Sequence, residues 1–240
     1  MKFTYLRISF LFVILILLSG CLYPNGELEK NQVPNEAQLN TIQHAIEQYQ
    51  EQTNGLLPIK TKENDTPIFE KYLIDFSALK EQNIITEIPG NAYENGGVYQ
   101  YAIINPEDDP QVKLIDLRIT EEIRRINVQL DIYRDKHIYP PFGEEIADGF
   151  YSVNYKVLGY EEPLTISSPY SAENLPIIMD TDGKLYVDYR IELNNALNQY
   201  EHQYTDGDDI RFLLANNTPF VPAYSFPYTI RNGEPVFMQD

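Results

Sequence analysis

Histidine, serine and paired carboxylates are the residues in this chain whose types could do chemistry, and their spacing decides how far that goes. His44, His137 and His202 are the only imidazoles among 240 residues. None sits in a recognised metal-ligand pattern, so catalytic or ligand roles would need the fold to gather distant groups around them. No serine occupies a Gly-x-Ser-x-Gly elbow. Ser152, Ser167, Ser168 and Ser171 stand without a nearby signature, and Ser167 to Ser171 reads as a loop. Asp180-Thr-Asp182-Gly183-Lys184 resembles the opening of a calcium loop, but the twelfth position from Asp180 is Ile191, where a bidentate acid is required. A hairpin turn explains the same letters. Asp206-Gly207-Asp208-Asp209 likewise suits a turn, a helix cap or a weak cation site. Glu144, Glu145, Asp148, Glu161 and Glu162 supply paired acids. Glycoside chemistry needs two carboxyls about 5 to 9 Å apart across a cleft, and solvated surface is the simpler reading. No metal site and no cofactor is expected.

Tyrosine is overused: 19 of them, with no tryptophan. Tyr99, Tyr101, Tyr151 and Tyr155 fall in expected strands, as do Tyr186 and Tyr189, while Tyr224 and Tyr228 lie in a proline-rich tail. A phenol offers flat apolar area with one polar tip. Tyr99, Tyr101, Tyr151, Tyr155, Tyr224 and Tyr228 are therefore candidates for a binding face toward an extended peptide or a glycan. The alternative is that they merely bridge core and water.

The one cysteine, Cys21, follows a different logic. Lys2 and Arg7 precede a charge-free run from Ile8 to Leu18, and Ser19-Gly20-Cys21 closes it. A basic start, a short apolar core and small residues at its exit form a secretory signal, too short for a confident membrane span. Leu18-Ser19-Gly20-Cys21 resembles the lipobox of bacterial membrane-anchored lipoproteins. That resemblance implies cleavage before Cys21 and diacylglycerol on its sulfur, and two acyl chains hold where one is marginal. The protein would then be extracytoplasmic, fastened to the bacterial membrane by its N-terminal lipid. No free thiol would remain for disulfides or thiolate catalysis.

Without residues 1 to 20 the chain keeps 16 Lys and Arg against 36 Asp and Glu. Such a surface repels phosphate backbones, so nucleic acid is excluded as a partner. An envelope protein or glycan is the expected partner besides the membrane itself.

The elements that must position these residues come in an order that recurs. Residues 21–37 read as a flexible tether. Helical periodicity follows in residues 38–52, 120–136 and 191–204, each with an apolar triplet spaced four then three: Ile42/Ile46/Tyr49, Ile126/Leu130/Tyr133 and Leu193/Leu197/Tyr200. Two of these helices follow strand-like segments, 113–119 and 185–191, that share Asp116-x-Arg118-Ile119 and Asp188-x-Arg190-Ile191. Thr120, with Glu121 and Glu122 behind it, supplies an N-cap. Residues 96–104 and 150–160 read as strands. Residues 176–189 read as a hairpin turning at Asp182-Gly183, and Asn232-Gly233 predicts a second hairpin near the C-terminus.

The exits at 49–58 and 133–141, each a tyrosine, a short spacer and a proline, resemble the end of the long helix in type IV pilins, where a sheet follows. The likeness is confined to those stretches. The pattern predicts an α+β fold, helices packed on short antiparallel sheets, as two or three related helix-plus-sheet units over 38–112, 113–182 and 183–240. With no dedicated catalytic centre in sight, binding or assembly at the outer face of the membrane is the leading expectation. An envelope glycan or peptide hydrolase working through carboxylates is the next, and a solute-binding receptor the third.

Overall fold

The computed structural model describes residues 35–238; the signal, Cys21 and the tether up to residue 34 lie outside them. Helix α1 (Asn35–Thr53) begins three residues before the expected start. Short helices α2 (Ile68–Lys71) and α3 (Phe76–Glu81) follow, and then the hairpin β1 (Tyr99–Ile104) and β2 (Gln111–Asp116). Helix α4 (Leu117–Arg134) leads to β3 (Phe142–Ala147) and β4 (Phe150–Val153), then to β5 (Thr165–Ser167), β6 (Asn174–Asp180) and β7 (Leu185–Val187). Helices α5 (Arg190–Gln199) and α6 (Arg211–Asn217) precede the closing hairpin β8 (Tyr228–Arg231) and β9 (Glu234–Phe237). Among the described residues no helix is long and apolar enough to cross a membrane.

The expected architecture is what forms: helices on several short antiparallel sheets. The first sheet is the two-stranded β1–β2 hairpin, edged by isolated bridges, whereas the second has five strands, with β5 as well as β4 and β7 paired to β6. In the first, Ile59 bridges Ile74, Leu73 bridges Ala102 of β1, and β1 pairs β2 from Tyr99↔Asp116 to Ile104↔Gln111. In the second, β3 pairs β4, β4 pairs β6 and β6 pairs β7. Met179 of β6 faces both Tyr151 of β4 and Leu185 of β7, so β6 is central there. A helix precedes each set, and a capped helix leaves its last strand. The four-then-three stripes sit as expected on the first two long helices. Ile42, Ile46, Ile126 and Leu130 are buried, and Tyr49 and Tyr133 lie half-buried at the stripe ends. On α5 only Leu193 of its triplet is fully buried, because the helix stops at Gln199 and Tyr200 is already extended.

Two boundaries differ from expectation for local reasons. The N-cap of α4 is Asp116, not Thr120: its Oδ1 accepts the Arg118 amide at 2.9 Å, so the chain passes from strand to helix within one residue. Residues 150–160 are not one strand. After Val153 the backbone enters a 3-10 turn, Tyr155–Leu158, that ends on Gly159 in the left-handed region. Both expected hairpins form. Asn232 and Gly233 both take positive φ, as the tight turn between β8 and β9 demands.

Sheet β1–β2 is buried on both faces. Tyr101, Ile103, Val112 and Leu114 pack toward α1, while Ala102, Ile104 and Ile115 pack with Phe69, Ala215, Val221 and Ala223 on the other side. Asn91 pins α1 to this sheet. It accepts the Tyr101 hydroxyl at 2.6 Å and donates to Asn35, while its amide donates to Gln38. A side chain at Gly97 would collide with the Asn91 backbone at 2.1 Å, so the close approach requires glycine.

The proline-rich tail runs between the two sheets. Leu114 donates to Pro219 O and accepts from Val221 N, and Val187 donates to Tyr224 O. A second, larger core joins α4, β4, β6, β7, α5, α6 and the closing hairpin.

Candidate functional site

Charge inside the fold is the best guide to a site, because an ionised group leaves water only when something compensates it. Among the described residues five charged ones are buried: Lys113, Asp116, Asp188, Glu192 and Arg211. Three of them belong to one recurring device. Asp116 grips Arg118, Asp188 grips Arg190, and Asp209 grips Arg211, in each case with the carboxylate accepting the backbone amide two residues on and the guanidinium Nε and Nη2 folded back upon it. The Nη2–Oδ2 distance is 2.6 Å in all three. Each clasp stands at the start of a helix, α4, α5 and α6, and closes the amide end of it. Only the first two are visible as a shared sequence pattern; the third is hidden within an acidic turn.

Lys113 and Glu192 are the remainder, and neither has an ion partner among the described residues. Alternation along β2 places Lys113 on the face opposite Val112 and Leu114, toward the end of α6. Its Nζ donates to Thr218 O at 2.9 Å and Asn216 O at 3.3 Å. These are orphan carbonyls at a helix C-terminus, where a cation is favoured. Thr218 finishes the helix by donating its hydroxyl to Leu214 O while accepting the Phe220 amide. Burial pushes the Lys113 amine down to about 8.

Glu192 lies in the first turn of α5, 3% exposed, and accepts the Ser171 hydroxyl at 2.5 Å. Ser171 is itself fixed. Its Oγ accepts the Glu173 amide, and Ser168 Oγ accepts the amides of Tyr170 and Ser171. Beside it the Tyr170 hydroxyl is buried and has no hydrogen-bond partner. Burial first, then the fields of Tyr189 and Glu192, raise its pKa well above the ordinary phenol value, so it stays a donor.

Each of these charges lines a cavity. One, of about 450 Å³, is formed by α1, β2 and the end of α6 and includes Asn40, Gln111, Lys113, Asn216 and Thr218. The other, of about 390 Å³, lies along α5 and includes Tyr170, Glu192, Asn195, Asn198, Gln199 and Thr218. Thr218 lines both, and side-chain amides contribute to the polar lining of each, five in the first and three in the second. Gln43 fixes the wall between α1 and β2 by donating to Pro110 O and accepting the Val112 amide. Such a surface can hydrogen-bond an extended ligand along its length.

The residues singled out from sequence are placed elsewhere, Ser171 excepted. The six tyrosines share no face. Tyr101, Tyr155 and Tyr228 are core residues whose hydroxyls bond Asn91, Leu164 O and the Val187–Asp188 segment. Tyr99, Tyr151 and Tyr224 are half-buried, the first against Phe220, the second against Phe142, the third at a positive-φ turn whose amide donates to Glu70. The reason is that β1 is covered on both sides, so alternation there does not separate core from surface.

His44 is exposed and contacts Glu47, His137 stacks on Tyr133 at 3.9 Å, and His202 keeps a buried Nδ1 without a partner. Asp180 spends its carboxylate on the turn, accepting the amides of Asp182 and Lys184 and the Tyr186 hydroxyl. Asp208 accepts both the amide and the hydroxyl of Thr205, while Glu144, Glu145, Glu161 and Glu162 are exposed. No group of three potential metal ligands forms among the described residues.

Residues 35–116 match the family model described as the YphF family N-terminal domain. The match opens on the first residue of α1 and closes on Asp116, the first clasp aspartate. It contains Lys113 and its β2 strand and excludes Glu192 and α5. No curated protein and no solved structure matches the chain.

Proposed function

We propose that this chain is a lipid-anchored, extracytoplasmic binding protein of the bacterial envelope, and that it holds an extended hydrogen-bonding ligand in a groove made of the two cavities that share Thr218. The anchor rests on the Leu18–Cys21 motif. The ligand site rests on one observation: two cavities share Thr218 in their linings, and each carries side-chain amides, Asn40, Gln111 and Asn216 in one and Asn195, Asn198 and Gln199 in the other. Amides offer both donors and acceptors, which suits a polymer with repeating polar groups and favours binding over bond cleavage.

Two measurements test this. Labelled palmitate should enter the wild-type protein in a bacterial host and the Cys21→Ala variant should lose both label and membrane association; unaltered labelling would remove the anchor. For the site, hydrogen exchange would be followed on the detergent-solubilised full chain with short peptides and with acetamido-oligosaccharides as separate probes. One class should protect segments 111–114 and 190–200, and Asn216→Trp, which fills the groove from an exposed position, should abolish that protection. Protection by neither class, or protection elsewhere that Asn216→Trp leaves intact, would defeat the reading.

A further inference from the structure

Resting on that groove, we infer that its ligand is a short zwitterionic peptide bound in one direction, its C-terminal carboxylate at Lys113 and its protonated N-terminal amine at Glu192. The clasps show how this fold treats buried charge when nothing else is needed: Asp116, Asp188 and Arg211 each have an ionic partner two residues away. Lys113 and Glu192 break that pattern, and they are the two buried charges that line the cavities sharing Thr218. Their signs are opposite.

The Lys113 amine carries three hydrogens and commits two, to Asn216 O and Thr218 O, leaving a donor for an incoming carboxylate. Glu192 receives one hydrogen bond, from Ser171, and its second oxygen receives none from the described residues. A ligand ammonium would supply the missing donor and the missing positive charge together. The Tyr170 hydroxyl is sealed beside Glu192 and out of a ligand's reach, so the polar contacts of this pole are left to Glu192 itself and the neighbouring amides. Between the poles the Asn and Gln side chains match the alternating N–H and C=O groups of a peptide backbone. An acetamido-glycan would satisfy those amides but bring neither charge, so the two poles favour the peptide. Glu36 also lines the Lys113 cavity, but it is exposed and forms no ion pair with Lys113 among the described residues, so in a chain with twice as many acidic as basic residues this buried amine still calls for a carboxylate.

The probes are unbranched alanine peptides of two to six residues in four forms: free, N-acetylated, C-amidated and capped at both ends. Titration calorimetry on the full chain in detergent should find one preferred length in the free form, and each cap should weaken it by tenfold or more. In Lys113→Met the C-terminal amide should cease to matter while the N-acetyl group still does, and Glu192→Gln should show the reverse. The comparison of capped and free peptides on the wild-type protein stands even if a variant fails to fold. Equal affinity for free and doubly capped peptides would overturn the inference and leave the groove in place. So would binding of acetamido-oligosaccharides with no binding of peptides. Failure of both probe classes would remove the groove reading together with this one.

Discussion

Lys113 is buried at a cost to the fold, and that cost depends on pH. Its amine sits near 8 in the folded chain against 10.5 for a free side chain. The unfolded chain therefore holds the proton more tightly, and the penalty is fully present below pH 8 and relieved as pH climbs toward 10.5. Tyr101, Tyr155 and Tyr186 act in the opposite sense. Burial raises each hydroxyl above the ordinary value of 10.0, so the stability they hold is present below pH 10 and lost above it. Thermal melting across pH should thus show a gain between pH 8 and 10 followed by collapse, and Lys113→Met should lack the rising limb. A variant with the same rise as the wild type would show that another group causes it. Little of this was legible in the sequence. Lys113 reads as one polar position in a strand, and what isolates it is the end of α6, more than a hundred residues away. Ser171 was visible as a loop residue, but its partner Glu192 was indistinguishable from any acid in the first turn of a helix.

At the scale of elements, the three clasps make different demands although their geometry is the same. Asp116 is buried while its partner Arg118 is 56% exposed and also lies over the Tyr99 ring, so Asp116→Ala removes mainly a helix cap, at about 1–2 kcal/mol. In the third clasp the arginine is the buried member. Asp209→Ala would strand the buried Arg211 without a carboxylate, beside the Ser225 oxygens and the Phe69 ring, at about 3 kcal/mol or more. Urea unfolding of the two variants should give that order; equal losses would mean that the clasps act only as caps. The shared Asp-x-Arg-Ile letters at 116–119 and 188–191 mark two clasps of the same geometry, while the sheets before them differ, two strands in one and five in the other. The physical meaning of the letters was missed, because Thr120 with its following acids is also a sound start signal and sequence cannot say which cap the strand will reach first. The alternating tyrosines misled for a related reason: period two reports a half-exposed strand only when one face meets water, and β1 has none that does.

Over the whole molecule the excess of acid sets a background. A formal charge of -18 makes the folded chain repel itself, and dissolved salt screens that repulsion within about 10 Å at 0.1 M. Stability measured by urea should rise as sodium chloride goes from about 10 to 300 mM, with little change in the dependence on denaturant; a fall would show that surface ion pairs outweigh the repulsion. The α+β class and two of the hairpins were readable at this scale because periodicity and Asn-Gly turns are local. The path of residues 219–224 was not, since prolines announce extended chain without saying what lies on either side.

That path fixes an order of events. A ribosome releases Leu114 and Val187 long before it reaches Pro219 and Tyr224, yet the backbone groups of the first two find their partners only in the last. Until residues 219–224 emerge, both sheets carry an unzipped border open to any passing strand. Chains cut short after α6 would keep those borders for good, and a chaperone able to shield them would have its work concentrated in the interval before residues 219–224 leave the ribosome.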